Sequence, residues 1–174
     1  EKGSITIEND GKHIPCVKKK GGDEYIPTTL FGKCLSGSNY DDKTAERESI
    51  GMNGLGIKLV NILSDTMNIE LYDPKEKVQL KQTWTNGMMS TTGPKVRSVK
   101  TVKKMTTKVE FYPTLRDFVN VDSLHIIVPV IKTRLVQIAS TLGEQSNVKI
   151  YFNNELLNKI SKKFKQFISL FQDD

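Results

Sequence analysis

The chain has 174 residues, 26 Lys and Arg against 20 Asp and Glu, a net charge of +6 and 37% hydrophobic residues. That is the balance of one globular domain of ordinary size, not of a disordered chain. No stretch approaches the roughly 20 consecutive apolar residues of a membrane-crossing helix, and nothing at the start reads as a signal or transit peptide. The two cysteines, Cys16 and Cys34, are too few for a disulfide framework and lack the spacing of a zinc site, so they read as small buried or half-buried thiols. Basic residues gather loosely in 18–20, 95–108 and 159–165. With no aromatics interleaved, each group reads most simply as a solvated face, although the charge permits an anionic partner.

In chain order, alternating apolar positions predict strands at Ile5 and Ile7, at Met67, Ile69 and Leu71, at Val78, Leu80 and Trp84, at Val109 and Phe111, and at Val148, Ile150 and Phe152,. Asn86-Gly87 and Asn153-Asn154 supply hairpin-type turns,. A first helix is predicted from Leu55, Leu59, Ile62 and Leu63, stopping near Asp65. A second runs through Leu124, Ile127, Ile131, Leu135, Ile138 and Leu142 toward a Gly143 cap, with Pro129 in its first turn or at a kink,. A third, over residues 160–171, sets Ile160, Phe164, Phe167, Ile168 and Phe171 on one side. These apolar stripes, Met88-Met89 and Trp84 are expected in the core. The order is too irregular for a doubly wound sheet, and an α+β two-layer sandwich with a mostly antiparallel sheet fits better. A strand already under way by Ser4 suggests a piece of something longer. The polar run over residues 36–48 is long for a compact domain, as lids over ligands often are.

The strongest local signal is Gly51-Met52-Asn53-Gly54-Leu55-Gly56-Ile57-Lys58, a glycine-rich turn running into a helix. Such a junction offers unpaired N–H groups to an anion, phosphate above all, and Lys58 could add its charge. It is not a Walker A loop, because Leu59 follows Lys58, nor a Rossmann fingerprint, because polar sequence precedes it,. Alone it is equally a flexible loop before an ordinary helix. Asn9-Asp10-Gly11 after the first strand is a common turn whose Asn could bond an adenine edge, and Ser38-Asn39-Tyr40-Asp41-Asp42 places small polar groups at the lid's root,. Glu8, Asp10, Asp41 and Asp42 read as solvated turn residues. His13 and His125 stand too far apart to suggest metal or nucleophilic chemistry.

Taken in order, Asn9-Asp10-Gly11-Lys12-His13-Ile14-Pro15, Ser36-Gly37-Ser38-Asn39-Tyr40-Asp41-Asp42, residues 51–58 and Lys81-Gln82-Thr83-Trp84-Thr85-Asn86 resemble the ATPase domain of eukaryotic-type DNA topoisomerase II. The resemblance covers most of the chain and weakens after about Thr92. It implies a Bergerat (GHKL) ATP-binding fold, a two-layer α/β sandwich with a mixed, mostly antiparallel sheet, spanning 1–174 as one domain truncated at its N-terminus, with 36–50 as the ATP lid. It also implies that Asn9, beside Gly11, holds the adenine and that Gly37, Ser38 and Asn39 contact sugar and phosphate. Gly51, Met52, Asn53, Gly54, Leu55, Gly56, Ile57 and Lys58 would wrap the triphosphate. Three positions depart from the family pattern. His13 replaces a glycine, where a side chain is expected to strain the turn or crowd the base, Met52 replaces an arginine and Leu55 a tyrosine.

In the family, ATP with Mg²⁺ closes a homodimeric gate that passes one DNA duplex through a double-strand break in another. The resemblance places the general base and the Mg²⁺ ligand before Glu1 and a γ-phosphate lysine after Asp174. No catalytic or metal residue is therefore expected in 1–174, and the chain alone is expected to bind ATP without hydrolysing it. A nuclear location is implied for a eukaryotic source and a cytoplasmic replication site for a viral one, with no membrane partner. Another ATPase of the same fold (gyrase, mismatch-repair or chaperone type) or a non-catalytic basic binding module stays open as an alternative.

Overall fold

The computed structural model describes residues 3–34, 54–101, 104–114, 127–142, 146–159 and 164–171. Two compact units divide the chain, Glu1–Asn120 and Val121–Asp174.

The first unit is built on a sheet. Strand β1 (Ile5–Asn9) is followed by helix α1 (Ile26–Gly32), helix α2 (Gly56–Ile62) and strands β2 (Ser64–Asp73), β3 (Val78–Thr85), β4 (Ser90–Thr91), β5 (Lys95–Ser98) and β6 (Thr107–Pro113). Its order is β1-β6-β2-β3-β4, with β5 also on β3. Every pairing among the described residues is antiparallel, so the parallel component of the expected mixed sheet does not occur among them. The period-two pattern sends Met67, Ile69, Leu71, Leu80, Trp84 and Val109 to one face, where they are buried with Cys16 and Phe31,. Leu30 of α1 and Ile57 and Val60 of α2 pack on that core, giving the expected two layers.

The opposite face is polar. One row across the sheet runs Glu8, Lys108, Glu70, Lys81, and alternating sign makes its neighbours ion pairs: Lys108 to Glu8 at 3.0 Å and Lys81 to Glu70 at 3.0 Å,. Helix α1 is tied to the sheet by polar bonds as well as packing. The Thr28 hydroxyl donates to Gln82 Oε1 at 2.7 Å, and Gln82 Nε2 donates to Thr91 Oγ1 at 2.9 Å.

The second unit holds helix α3 (Val128–Thr141), a hairpin of β7 (Tyr151–Phe152) and β8 (Glu155–Leu156), a 3-10 turn (Leu157–Lys159) and helix α4 (Phe164–Ser169). Pro129 lies in the first turn of α3, where its missing N–H costs nothing,. The β7–β8 turn places Asn153 and Asn154 at φ 46° and 67°, left-handed values that asparagine tolerates,.

Several sequence expectations are corrected. In α2 the apolar stripe faces out: Leu59, Ile62 and Leu63 are exposed, while Ile57, Val60 and the polar pair Lys58 and Asn61 face inward. The expected strand Val148–Phe152 is regular only at Tyr151–Phe152; before it, Ile150 N–H and Val148 O bond the Asn158 side chain at 2.7 and 3.1 Å instead of a partner strand. Ile7 is exposed because β1 is the sheet edge, paired only with β6. Met89 is also exposed, though Met88 packs on the core. Helix α4, described over Phe164–Ser169, buries none of those residues, and in α3 the stripe members Ile138 and Leu142 are exposed. Cys16 is buried as expected, whereas Cys34 is exposed. Helix α1 was not foreseen. Gly143 and Ile160 lie outside the described residues.

Candidate functional site

The site candidates of the first unit come from two places, the end of β1 and the start of α2. At the end of β1, the N–H of Gly11 donates to Asn9 Oδ1 at 3.3 Å, the local side-chain turn that asparagine favours,. The loop before β6 closes on this turn. Thr106 N–H donates to Asn9 O at 3.0 Å and its hydroxyl to Gly11 O at 3.0 Å. Asp10 and Glu8 are exposed and face lysines, Lys104 at 3.2 Å and Lys108 at 3.0 Å.

His13 does not strain the turn. Its backbone is not left-handed, and its Nε2 lies 3.5 Å from Asp73 Oδ1. Asp73 is buried at the end of β2 and also accepts the N–H groups of Cys16, Lys75 and Glu76 at 2.9, 3.0 and 3.2 Å. Burial alone would push this carboxyl up, but the donated N–H groups and His13 outweigh it and hold it below the usual aspartate range,. The same carboxylate raises the neighbouring Cys16 thiol, which burial has already pushed up, to about 12.

At the second place Gly54 takes φ +59°, left-handed backbone that suits glycine, and leads through Leu55 into α2,. A Cβ on Gly56 would meet no described atom within 4 Å. Lys58, one turn in, is buried with 2% of its surface exposed. Burial lowers its ammonium pKa, with the Cys34 thiol acting weakly in the opposite sense,. Asn61 Nδ2 donates to Phe31 O at 3.1 Å and ties α2 to α1. A lysine buried behind an open glycine turn is suited to an anion that cannot carry its own water shell into the site.

No protein-family model matches the chain. It is 37% identical over 174 residues to the probable DNA topoisomerase 2 of Dictyostelium discoideum, covering 100% of this chain and 11% of that protein. It is 36% identical over 172 residues to DNA topoisomerase 2 of Candida albicans, covering 98% and 11%. The crystal structure of the ATPase region of Saccharomyces cerevisiae topoisomerase II superposes with TM-score 0.84 at 34% identity, over 97% of this chain and 43% of that one. The chain is homologous to the ATPase region of DNA topoisomerase II. It shares that region's α+β fold and spans about a tenth of the length of the curated topoisomerases it matches.

Within this topoisomerase-like unit, seven of the sequence-predicted residues are described: Asn9 and Gly11 at the end of β1, and Gly54, Leu55, Gly56, Ile57 and Lys58 at α2. Ile57 points into the core, so only its backbone is available to a ligand. Gly37, Ser38, Asn39, Gly51, Met52 and Asn53, and the proposed lid 36–50, lie outside the described residues. The sequence reading missed Thr106, a residue 97 positions from Asn9 that only the β1–β6 pairing brings near. Among the described residues no group of three or more His, Cys, Asp or Glu side chains is close enough to hold a metal ion.

Proposed function

We propose that this chain is the nucleotide-binding part of a type II DNA topoisomerase, taking ATP between the end of β1 and the start of α2. Asn9 holds the base on a turn made by Gly11. Gly54, Leu55, Gly56 and Ile57 offer backbone N–H groups to the phosphates, and Lys58 adds the positive charge. Gly37, Ser38 and Asn39 take part from the lid 36–50, and Gly51, Met52 and Asn53 complete the phosphate loop. One observation carries the reading: Lys58 is buried two residues into the helix that left-handed Gly54 leads to, and no described atom crowds Gly56 at its start.

In the whole enzyme, nucleotide binding then closes two protomers around a DNA duplex destined to pass through a break in another. Mg²⁺ would accompany the triphosphate. Neither carboxylate beside the β1 turn has the surroundings of a general base, since Glu8 and Asp10 are exposed and faced by lysines,. The chain alone is expected to bind ATP without turning it over. Relatives occur both in eukaryotes and in viruses, so the site of action is nuclear in the first case and the cytoplasmic replication site in the second. No described helix is long and apolar enough to cross a membrane. The test is calorimetric titration of the 1–174 chain with a non-hydrolysable ATP analogue. Saturable heat that weakens in Gly54→Val supports the site, and its absence removes it.

A further inference from the structure

We propose that Thr106 is a positioning residue for the base end of the nucleotide site, holding the Asn9 carboxamide in one orientation and so setting preference for adenine over guanine. The inference rests on the reading above that Asn9 receives the base.

Thr106 grips the turn at both ends. Its N–H donates to Asn9 O at 3.0 Å, its hydroxyl donates to Gly11 O at 3.0 Å, and the same hydroxyl oxygen stands 3.4 Å from Asn9 Oδ1. Its own carbonyl accepts the Tyr72 N–H at 2.9 Å, which anchors the residue to β2 in the middle of the sheet. At 8% exposure the side chain has little room for another rotamer. The turn is therefore fastened to the rigid part of the unit, although its own residues are exposed.

That fastening distinguishes the two ends of an otherwise near-symmetric amide. The Gly11 N–H can only donate, so it selects the oxygen of Asn9 to face the turn, at 3.3 Å,. The Thr106 hydroxyl, whose single hydrogen goes to Gly11 O, holds the Gly11 end of the turn in place beside that oxygen,. The amide nitrogen makes no hydrogen bond among the described residues and is left as the donor toward a ligand. A held amide of this kind presents one donor beside one acceptor, the pattern that matches the amino group and ring nitrogen of adenine. On the same edge guanine reverses the pattern, with O6 accepting where the adenine amino group donates and N1–H donating where the adenine ring nitrogen accepts, and it would require the amide to turn over, against the Gly11 N–H that Thr106 holds in place,. Without the Thr106 hydroxyl, Gly11 O loses its donor, the turn loosens and the amide can turn.

The experiment measures the affinities of non-hydrolysable adenosine and guanosine triphosphate analogues for the 1–174 chain and for Thr106→Val, Thr106→Ser and Asn9→Ala. Thr106→Val keeps the shape and removes the hydroxyl, and it is expected to lower the adenine-over-guanine affinity ratio by about tenfold. Thr106→Ser, which restores a hydroxyl, is expected to recover most of that ratio. A purely structural role would weaken both analogues equally and leave the ratio unchanged. If Asn9→Ala lowers adenosine-analogue affinity while Thr106→Val keeps the parental ratio, the positioning role is overturned and the base site stands. If Asn9→Ala leaves that affinity unchanged, the base-site reading falls and this inference with it.

Discussion

The indole of Trp84 lies directly over Gly32, the last residue of α1. A Cβ on that glycine would stand 2.7 Å from Trp84 Nε1 and 3.1 to 3.2 Å from two further ring atoms. The ring is 3% exposed and wedged into the core, so it cannot swing away. Gly32→Ala is expected to destabilise the protein by about 1–3 kcal/mol, as overpacked cores do. Urea unfolding followed by Trp84 fluorescence, the only tryptophan in the sequence, measures it. An unchanged midpoint would show that α1 can lift off the sheet at no cost.

Asp73 joins two segments, accepting N–H groups from Cys16 on one side and from Lys75 and Glu76 of its own turn on the other. Its carboxyl is held below the ordinary range in the folded chain. A group whose folded value lies below its unfolded one, about 3.9 for aspartate, contributes stability above the unfolded value. That contribution disappears as pH falls through the folded value. Unfolding free energy should therefore decline below about pH 4, and Asp73→Asn should decline less steeply. Glu70 and Glu24 are lowered too, so the variant removes part of the slope and not all of it. Asp73→Ala, which leaves the Cys16 N–H without its acceptor, should cost about 2–4 kcal/mol at neutral pH.

The cysteines should behave oppositely toward a thiol reagent. Cys34 is exposed and Cys16 is buried, with its thiol pushed up to about 12,. Native protein at neutral pH should label rapidly at one thiol, and the second should react only on denaturation. Fast reaction of both would mean that the segment around Cys16 opens readily from Asp73.

Strands β2, β3 and β6 were legible because each alternates cleanly with one buried face. Trp84 and Leu80 also behave as their pattern says. Helix α1 was not legible. Its sequence Ile-Pro-Thr-Thr-Leu-Phe-Gly combines a proline, two β-branched threonines and a glycine, and its helix is secured by Thr28 bonding Gln82 and by Phe31 entering the core, neither of which is local. Helix α2 was found but its inward face was misread. Hydrophobicity points to Leu59, Ile62 and Leu63, yet the chain buries Lys58 and Asn61, and burial of such groups against the hydrophobic rule is expected where a site is being built. The turn at Asn9 was legible as a turn, whereas its clamp by Thr106 depends on pairing across nearly 100 residues.

Lys58 should give the site a pH dependence of its own. Burial lowers its ammonium pKa below the free value of about 10.4,, so its charge is lost at lower pH than that of a solvated lysine. Nucleotide affinity should fall on the alkaline side as the proton leaves. In Lys58→Met the affinity should already be about tenfold or more weaker at neutral pH, with that alkaline decline absent. A parental decline retained in Lys58→Met would assign the titration to another group.

The central claim is that the Gly54 to Lys58 segment of this chain cradles a triphosphate. Calorimetric titration with a non-hydrolysable ATP analogue, run on the parental 1–174 chain beside Gly54→Val and Lys58→Met, tests it most directly. Valine at 54 cannot adopt the φ of +59° without strain,. The account predicts saturable 1:1 binding by the parent, weakened about tenfold or more in each variant. Equal binding by all three proteins, or no saturable heat from the parent, would contradict it.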